Sequence, residues 1–257
     1  MPKNLPHRQL GSTGLKVSCL GLGTVKFGRN TGVKYPESFS LPDDQALEAL
    51  LSTAKNLGIN YLDTAPAYGE SEARLGKLIQ PNRQDWVIST KVGEYFSNGK
   101  SHYDFTESTS IASVELSLKR FGTDQLDIVF VHSNGDDQEI IQSSPVLECL
   151  SRLRDKGWIR AIGFSGKDAA ASSLAIDLVD VFMVTLNQSD TSQASLLKLC
   201  KQRGKGVVIK KALASGHASS PNAALKFAID YEGVSSVIVG TINPNHLAQN
   251  VSVAIKR

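Results

Sequence analysis

The sequence predicts an α/β fold: a (β/α)8 TIM barrel with an N-terminal β-hairpin, spanning residues 1–257 as a single domain. Two observations predict it. From Ser18 onward, short apolar runs alternate with segments of helical period, and the alternation repeats eight times. Eight such units suit closure better than an open doubly wound sheet. A chain of 257 residues is also long enough for one large core, and barrels of this length usually form one domain.

The elements follow in order. Arg8 to Ser18 reads as a small hairpin turned at Gly11 and Gly14, placed to plug the bottom of the barrel. Strands are predicted at 18–22, 59–62, 86–90, 126–131, 159–163, 181–185, 206–210 and 236–239. Helices are predicted at 42–57, 70–79, 107–121, 143–156, 168–176, 190–203, 221–231 and 244–255. Pro42-Asp43-Asp44, Thr106-Glu107, Pro221-Asn222 and Asn243-Pro244 supply helix caps and first-turn prolines. Gly58, Gly122, Gly157 and Gly204 fall at helix ends, where a left-handed residue is needed. Two long strand-to-helix loops stand out, Lys26 to Leu41 and Gly93 to Phe105. The second offers a rim of Tyr95, Phe96, Tyr103 and Phe105 to a substrate. There is no linker, tandem repeat or low-complexity block.

Composition narrows the function classes. Charge is nearly balanced, at +3 from 28 basic and 25 acidic residues, with no basic stripe interleaved with aromatics. Nucleic acid is therefore not an expected partner. No apolar run approaches membrane-spanning length, and the polar start has no secretory core, so no membrane association is expected. Cys19, Cys149 and Cys200 are odd in number and far apart. They read as reduced packing residues of a cytoplasmic protein. Neither Cys-x-x-Cys nor His-Glu-x-x-His occurs, and no metal site is expected. Gly21-Leu22-Gly23 begins like a dinucleotide fingerprint but meets lysine at position 26. Gly93 to Gly99-Lys100-Ser101 approximates a P-loop with a spacer one residue too long.

The chemistry lies at three successive strand ends. Ile59 to Leu62 breaks off in Asp63, with Tyr68 close behind; Trp86 to Ile88 leads to Lys91; Leu126 to Val131 leads to His132. In a parallel barrel these ends share the rim where reactions occur. Tyr68 reads as a proton donor, Lys91 as the cation that lowers its pKa, Asp63 as the anchor of the lysine, and His132 as the group that orients a substrate oxygen. Such a set suits carbonyl reduction, with the hydride supplied by a nicotinamide cofactor. Singly, each residue has a plainer reading: an Asx-turn for Asp63, loop packing for Tyr68, a solvated strand end for Lys91, a satisfied core residue for His132.

The segments Gly58 to Glu72, Ser89 to Gly93, Phe130 to His132, Arg160 to Ser165 and Leu186 to Gln188 together resemble the aldo-keto reductase superfamily, in order and along nearly the whole chain. The resemblance implies a (β/α)8 reductase that uses NADPH, with NADH not excluded, on a small-molecule carbonyl substrate. It assigns Asp63, Tyr68, Lys91 and His132 to catalysis. It places Ser165, Gly166, Asn187 and Gln188 at the nicotinamide carboxamide, and Gly23 and Thr24 also against the cofactor. Lys210 and Lys211 would approach its phosphates or the substrate, and Leu213, Ser215 and Gly216 its pyrophosphate. Gly240, Thr241, Asn243, His246, Gln249 and Asn250 would surround the adenosine phosphate, where a helix N-terminus favours an anion.

Several departures accompany the resemblance. Ser165-Gly166 stands where many relatives have Ser-Asn, Lys210 where many stack an aromatic ring on nicotinamide, and His246 where many grip phosphate with arginine. The chain ends at Arg257, soon after the last helix, and the loops after the fourth and seventh strands are short. An open, shallow pocket accepting varied aldehydes and ketones is the expectation. A non-catalytic nicotinamide-binding subunit or redox sensor is the alternative reading, and a Schiff-base lyase using Lys91 or Lys210 a further one. The sequence does not specify an oligomeric state.

Overall fold

The computed structural model describes residues 5–255. A hairpin, β1 (His7–Gln9) and β2 (Lys16–Ser18), opens the chain, paired through Arg8 and Val17. Eight parallel strands then close a barrel: β3 (Leu20–Gly23), β4 (Tyr61–Asp63), β5 (Val87–Val92), β8 (Leu126–His132), β9 (Ile159–Ser165), β10 (Val181–Thr185), β11 (Gly206–Lys210) and β12 (Ser236–Gly240). Between β5 and β8 lies an antiparallel pair, β6 (Glu94–Ser97) and β7 (Lys100–Tyr103). The helices are α1 (Val25–Gly28), α2 (Asp44–Asn56), α3 (Ser71–Ile79), α4 (Glu107–Phe121), α5 (Asp137–Ser143), α6 (Val146–Asp155), α7 (Ala169–Ser173), α8 (Ala194–Gln202), α9 (Pro221–Asp230) and α10 (Pro244–Ile255).

The predicted barrel and hairpin are present, and the main differences lie in the connections. The segment read as a loop from Gly93 to Phe105 contains β6 and β7, joined by Asn98 and Gly99, both at positive φ. That is the Asn-Gly signal of a two-residue hairpin turn. Helix α5 occupies the connection after β8, where a short loop was expected. The helix expected at 168–176 shrinks to α7, because from Leu174 to Ile176 the amides donate to carbonyls three residues back, those of Ala171, Ser172 and Ser173, and the chain tightens into turns.

Two apolar layers hold the barrel. One lies between strands and helices. The other fills the interior, where Tyr61, Ile128, Phe130, Val181, Met183 and Val208 meet Leu10, Leu15 and Val17 of the hairpin. The hairpin thus plugs the N-terminal end and leaves the opposite rim for chemistry. Helices α3 and α4 pack unusually close at Gly76, where an added Cβ would lie 1.9 Å from the Arg120 carbonyl oxygen. Gly76→Ala is expected to cost about 1–3 kcal/mol by overpacking, read as a lower midpoint in urea unfolding at unchanged slope. Nearby, the fully buried Glu72 carboxylate takes hydrogen bonds from Thr90, from Ser117 at 2.8 Å and from Arg120 at 2.7 Å. This acid of the Tyr68 segment is scaffold, tying α3 and α4 to β5.

Candidate active site

Asp63 ends β4, Lys91 lies one residue before the end of β5, and His132 ends β8. Tyr68 closes a short 3-10 turn, Pro66–Tyr68, that follows β4. All four line one cleft of about 990 Å³. A second hollow, around Arg8, Lys226 and Tyr231, gathers none of these groups.

Lys91 Nζ donates to Asp63 Oδ1 and to the Thr64 carbonyl, each at 2.7 Å, and the ion pair is essentially inaccessible. Ser89 Oγ donates to the same Asp63 oxygen at 2.7 Å and accepts from the Tyr61 hydroxyl at 3.0 Å. A buried pair needs such added hydrogen bonds to offset its desolvation. Lys91 Nζ lies over the Tyr68 ring, 4.9 Å from its centroid. The Tyr68 and His132 rings meet edge to face, with centroids 6.5 Å apart. The Tyr68 side chain faces the cleft, and its hydroxyl has no hydrogen-bond partner among the described residues.

The electrostatics reverse one expectation. Burial, with the Asp63 and Glu94 carboxylates adding to it, raises the Tyr68 phenol well above its ordinary value, and Arg29 opposes this only partly. Lys91, expected to lower that value, is paired with Asp63, whose own carboxylate acts in the opposite direction on Tyr68. Tyr68 is therefore a neutral phenol at physiological pH, with its proton in place. Burial also lowers the His132 imidazole, aided by the charges of Lys91 and Lys210 and opposed by Glu94.

Glu94, which sequence reasoning missed, reaches the cleft from β6. Its Oε2 is 2.7 Å from His132 Nδ1, and its Oε1 accepts from Ser101 Oγ of β7 at 2.6 Å. Burial raises the Glu94 carboxyl, but the His132 contact, the Ser101 hydroxyl and Arg29 outweigh it and bring it down to about 2. The aromatic rim expected on this hairpin is not part of the cleft lining. Tyr95 stacks on His102, Tyr103 on Phe105, and Phe96 lies under the Arg29 guanidinium, 3.5 Å from its ring centroid.

The remaining predicted residues divide. Gly23, Ser165, Lys210, Lys211, Leu213, Ser215, Gly216, Gly240, Thr241, His246, Gln249 and Asn250 line the same cleft. Thr24, Gly166, Asn187, Gln188 and Asn243 do not. The Thr24 hydroxyl is buried and donates to the Asp63 carbonyl at 3.0 Å. Asn187 is buried, bonding the Lys211 carbonyl and Ser189, while Gln188 is exposed. Asn243 Oδ1 accepts from the Asn245 and His246 amides at the start of α10. At Gly166 an added Cβ would meet Ser172 Oγ at 2.1 Å and Asp137 Oδ2 at 2.7 Å. Buried Asp137 takes the Lys167 and Asp168 amides at 2.7 and 2.8 Å and the hydroxyls of Ser133 and Ser172. It thereby fastens the loop after β9 to the loop after β8.

Lys210 Nζ donates to Ser165 Oγ and to the Gly166 carbonyl, both at 2.9 Å. Burial, then the neighbouring charges of Lys211 and Lys91, bring its amine down to about 7, with Asp137 opposing. The unfolded chain therefore binds this proton more tightly between pH 7 and the ordinary lysine range, and stability contributed at this position rises with pH across that window. Lys210→Met is expected to unfold at a higher temperature than wild type at pH 7, the gap narrowing towards pH 10; thermal melts at both pH values check this.

Opposite Lys210, the loop after β3 crosses the cleft. Lys26 Nζ sits 4.1 Å from the Tyr35 ring centroid, and Tyr35 and Pro36 lie against Gly240 and Gly216. This loop and Glu94 wall the pocket expected to be open; the chain end at Arg257, on which that expectation partly rested, lies outside the described residues. The cleft is long and cationic, lined by Lys26, Arg29, Lys34, Lys167, Lys210 and Lys211 against the acids Glu37, Asp63 and Glu94. Its donor set fits an extended polyanion such as a dinucleotide.

A parallel barrel that sets a protonated phenol above a buried ammonium–carboxylate pair belongs with the oxidoreductases that interconvert carbonyls and alcohols. The comparisons with known proteins narrow this to a family. The family model described as Aldo/keto reductase family matches residues 19–223, and the chain belongs to that family. It is 29% identical to an L-galactose dehydrogenase of Arabidopsis thaliana, covering 95% of this chain and 86% of that protein. It is 25% identical to a D-threo-aldose 1-dehydrogenase of a Pseudomonas species, over 95% and 91%. The crystal structure of a candidate aldo-keto reductase from Pseudomonas aeruginosa superposes with a TM-score of 0.91 at 45% identity, covering 100% of this chain and 98% of that one. The holo form of an aldo-keto reductase from Bacillus halodurans shares the fold, with a TM-score of 0.83 at 24% identity, over 99% and 92%. No helix among the described residues is long and apolar enough to cross a membrane.

Proposed function

We propose that this protein is an NADPH-dependent reductase of aldehydes and ketones, with Tyr68 as the general acid. The observation that carries the reading is Tyr68 lining the cleft with its ring against the buried Lys91–Asp63 pair. When bound, the dinucleotide supplies the hydride. Tyr68 gives its proton to the carbonyl oxygen as the carbon is reduced. Lys91 stabilises the phenolate that develops, and Asp63 keeps Lys91 charged and in place. His132 orients the substrate.

Ser165, Lys210, Lys211, Leu213, Ser215 and Gly216 would hold the nicotinamide half and the pyrophosphate, and Gly240, Thr241, His246, Gln249 and Asn250 the adenosine end. Thr24, Gly166, Asn187, Gln188 and Asn243 contribute by shaping these loops. The cationic lining favours NADPH over NADH through charge rather than through a two-pronged arginine. The dehydrogenase names among the relatives support the same alcohol–carbonyl couple. Fluorescence titration with NADPH and NADH, followed by cofactor oxidation with a panel of aldehydes and ketones, tests this reading. Tighter NADPH binding with turnover is expected; binding without turnover of any carbonyl would favour a cofactor-binding subunit instead.

A further inference from the structure

Two lysines reach the cleft from β5 and β11, and they are held differently. Lys91 donates to the Asp63 carboxylate at 2.7 Å. Lys210, the last residue of β11, donates to two neutral oxygens, Ser165 Oγ and the Gly166 carbonyl, each at 2.9 Å. It forms no ion pair among the described residues. A neutral acceptor stabilises an ammonium less than a carboxylate does. Burial and the charges of Lys211, Lys91 and Lys167 press the same way, with Asp137 opposing, and hold the amine at about 7. His132 lines the same cleft as an imidazole that burial pushes down. An ε-amine without its proton is a nucleophile, and buried lysines of this kind form imines with carbonyl compounds. The Lys210 side chain is partly accessible from the cleft. The Ser165 hydroxyl both donates and accepts, so it can serve the neutral amine as well as the ammonium.

The surroundings set the kind of carbonyl compound this amine meets. Successive residues of a strand face opposite ways. Lys211 escapes that rule because its φ is +58°, a left-handed conformation that is costly for a residue with a side chain, and both lysines line the cleft. Lys34 and Lys167 line it too; after burial, their charges are what lower the Lys211 amine, with Asp190 opposing. Three cationic side chains against one carboxylate make a berth for a doubly charged anion near the Lys210 amine. We propose that the Lys210 ε-amine reversibly captures small phosphate-bearing aldehydes as an imine, a reaction that goes beyond the reductase reading and needs no dinucleotide. The amine lone pair attacks the aldehyde carbon; a C–N bond forms while the carbonyl π pair moves to oxygen, which takes up a proton. The carbinolamine then loses its hydroxyl and the remaining nitrogen proton as water and leaves C=N. Nothing is oxidised or reduced, and water reverses the step. The captured aldehyde and a dinucleotide would compete for one cleft.

The test uses the full chain at neutral pH with pyridoxal 5′-phosphate as probe, in the absence of any dinucleotide. Borohydride fixes the imine as a secondary amine, and peptide mass spectrometry locates it. Lys210 is expected to be labelled at least about tenfold above any other lysine at limiting probe, because an ordinary lysine is neutral to only about one part in a thousand at pH 7. Its labelling is expected to level off above about pH 7, where that of an ordinary lysine climbs towards pH 10. Lys210→Met should lose this adduct and keep the weak surface labelling. Label spread evenly over the lysines, label on Lys91 or Lys211 in place of Lys210, or a Lys210 profile still climbing towards pH 10 overturns the proposal. Pyridoxal, which lacks the phosphate, tests the berth. The ratio of Lys210 label to surface-lysine label, which cancels the different reactivities of the two probes, is expected to fall severalfold. An unchanged ratio overturns the assignment of phosphate-bearing aldehydes. A chain that reduces no carbonyl is judged by the same labelling, so failure of the reductase reading is separate from failure here.

Discussion

Tyr68→Phe is expected to lower kcat/KM for carbonyl reduction by about 100- to 10,000-fold, the range associated with a positioned general acid. The phenylalanine ring keeps the packing over Lys91 and removes one oxygen that has no hydrogen-bond partner among the described residues. Stability and dinucleotide binding should therefore stay near wild type, which thermal melts and fluorescence titration check. Because burial keeps the phenol neutral well past its ordinary range, wild-type reduction should show no fall attributable to Tyr68 ionisation near neutral pH. Retained turnover in Tyr68→Phe would remove the residue from the chemistry.

Asp63→Ala should act on stability as well as on rate. It leaves the Lys91 ammonium buried with the Thr64 carbonyl as its remaining acceptor, and the Ser89 hydroxyl without the carboxylate it donates to. Breaking a buried pair from one side costs about 3–5 kcal/mol, whereas replacing both members with apolar groups is often neutral. For a chain of this size that loss corresponds to a Tm lower by roughly 6–20 °C. The double variant Asp63→Ala, Lys91→Met should melt above Asp63→Ala while remaining inactive. If the double variant melts lower still, an unpaired buried Lys91 charge is not the source of the loss.

The barrel was legible because period-2 and period-3.6 patterns alternate cleanly, and Asp63, Lys91 and His132 were legible because each ends an apolar run. Tyr68 was found through its short distance from Asp63. Glu94 was hidden because Gly93 to Phe105 read as a loop, although Asn98-Gly99 carried the hairpin signal that places it. The direction of the Tyr68 shift was out of reach for a different reason. Residue types suggest that a lysine lowers a phenol's pKa; only coordinates show that burial and the neighbouring carboxylates outweigh it. Asn187 and Gln188 illustrate a third limit. A motif names residues, but whether they face the cleft or brace the loop behind it depends on how β10 and β11 end.

The crowding at Gly166 bears on how this site can change. Asparagine, which the family resemblance leads one to expect there, meets Ser172 Oγ and Asp137 Oδ2 where its Cβ must go. Asp137 cannot move alone, since the amides of Lys167 and Asp168 depend on it. Lys210, meanwhile, already occupies Ser165. A side chain at 166 therefore requires Ser172 and Asp137 to shift with it, which couples this position to the loops after β8 and β9.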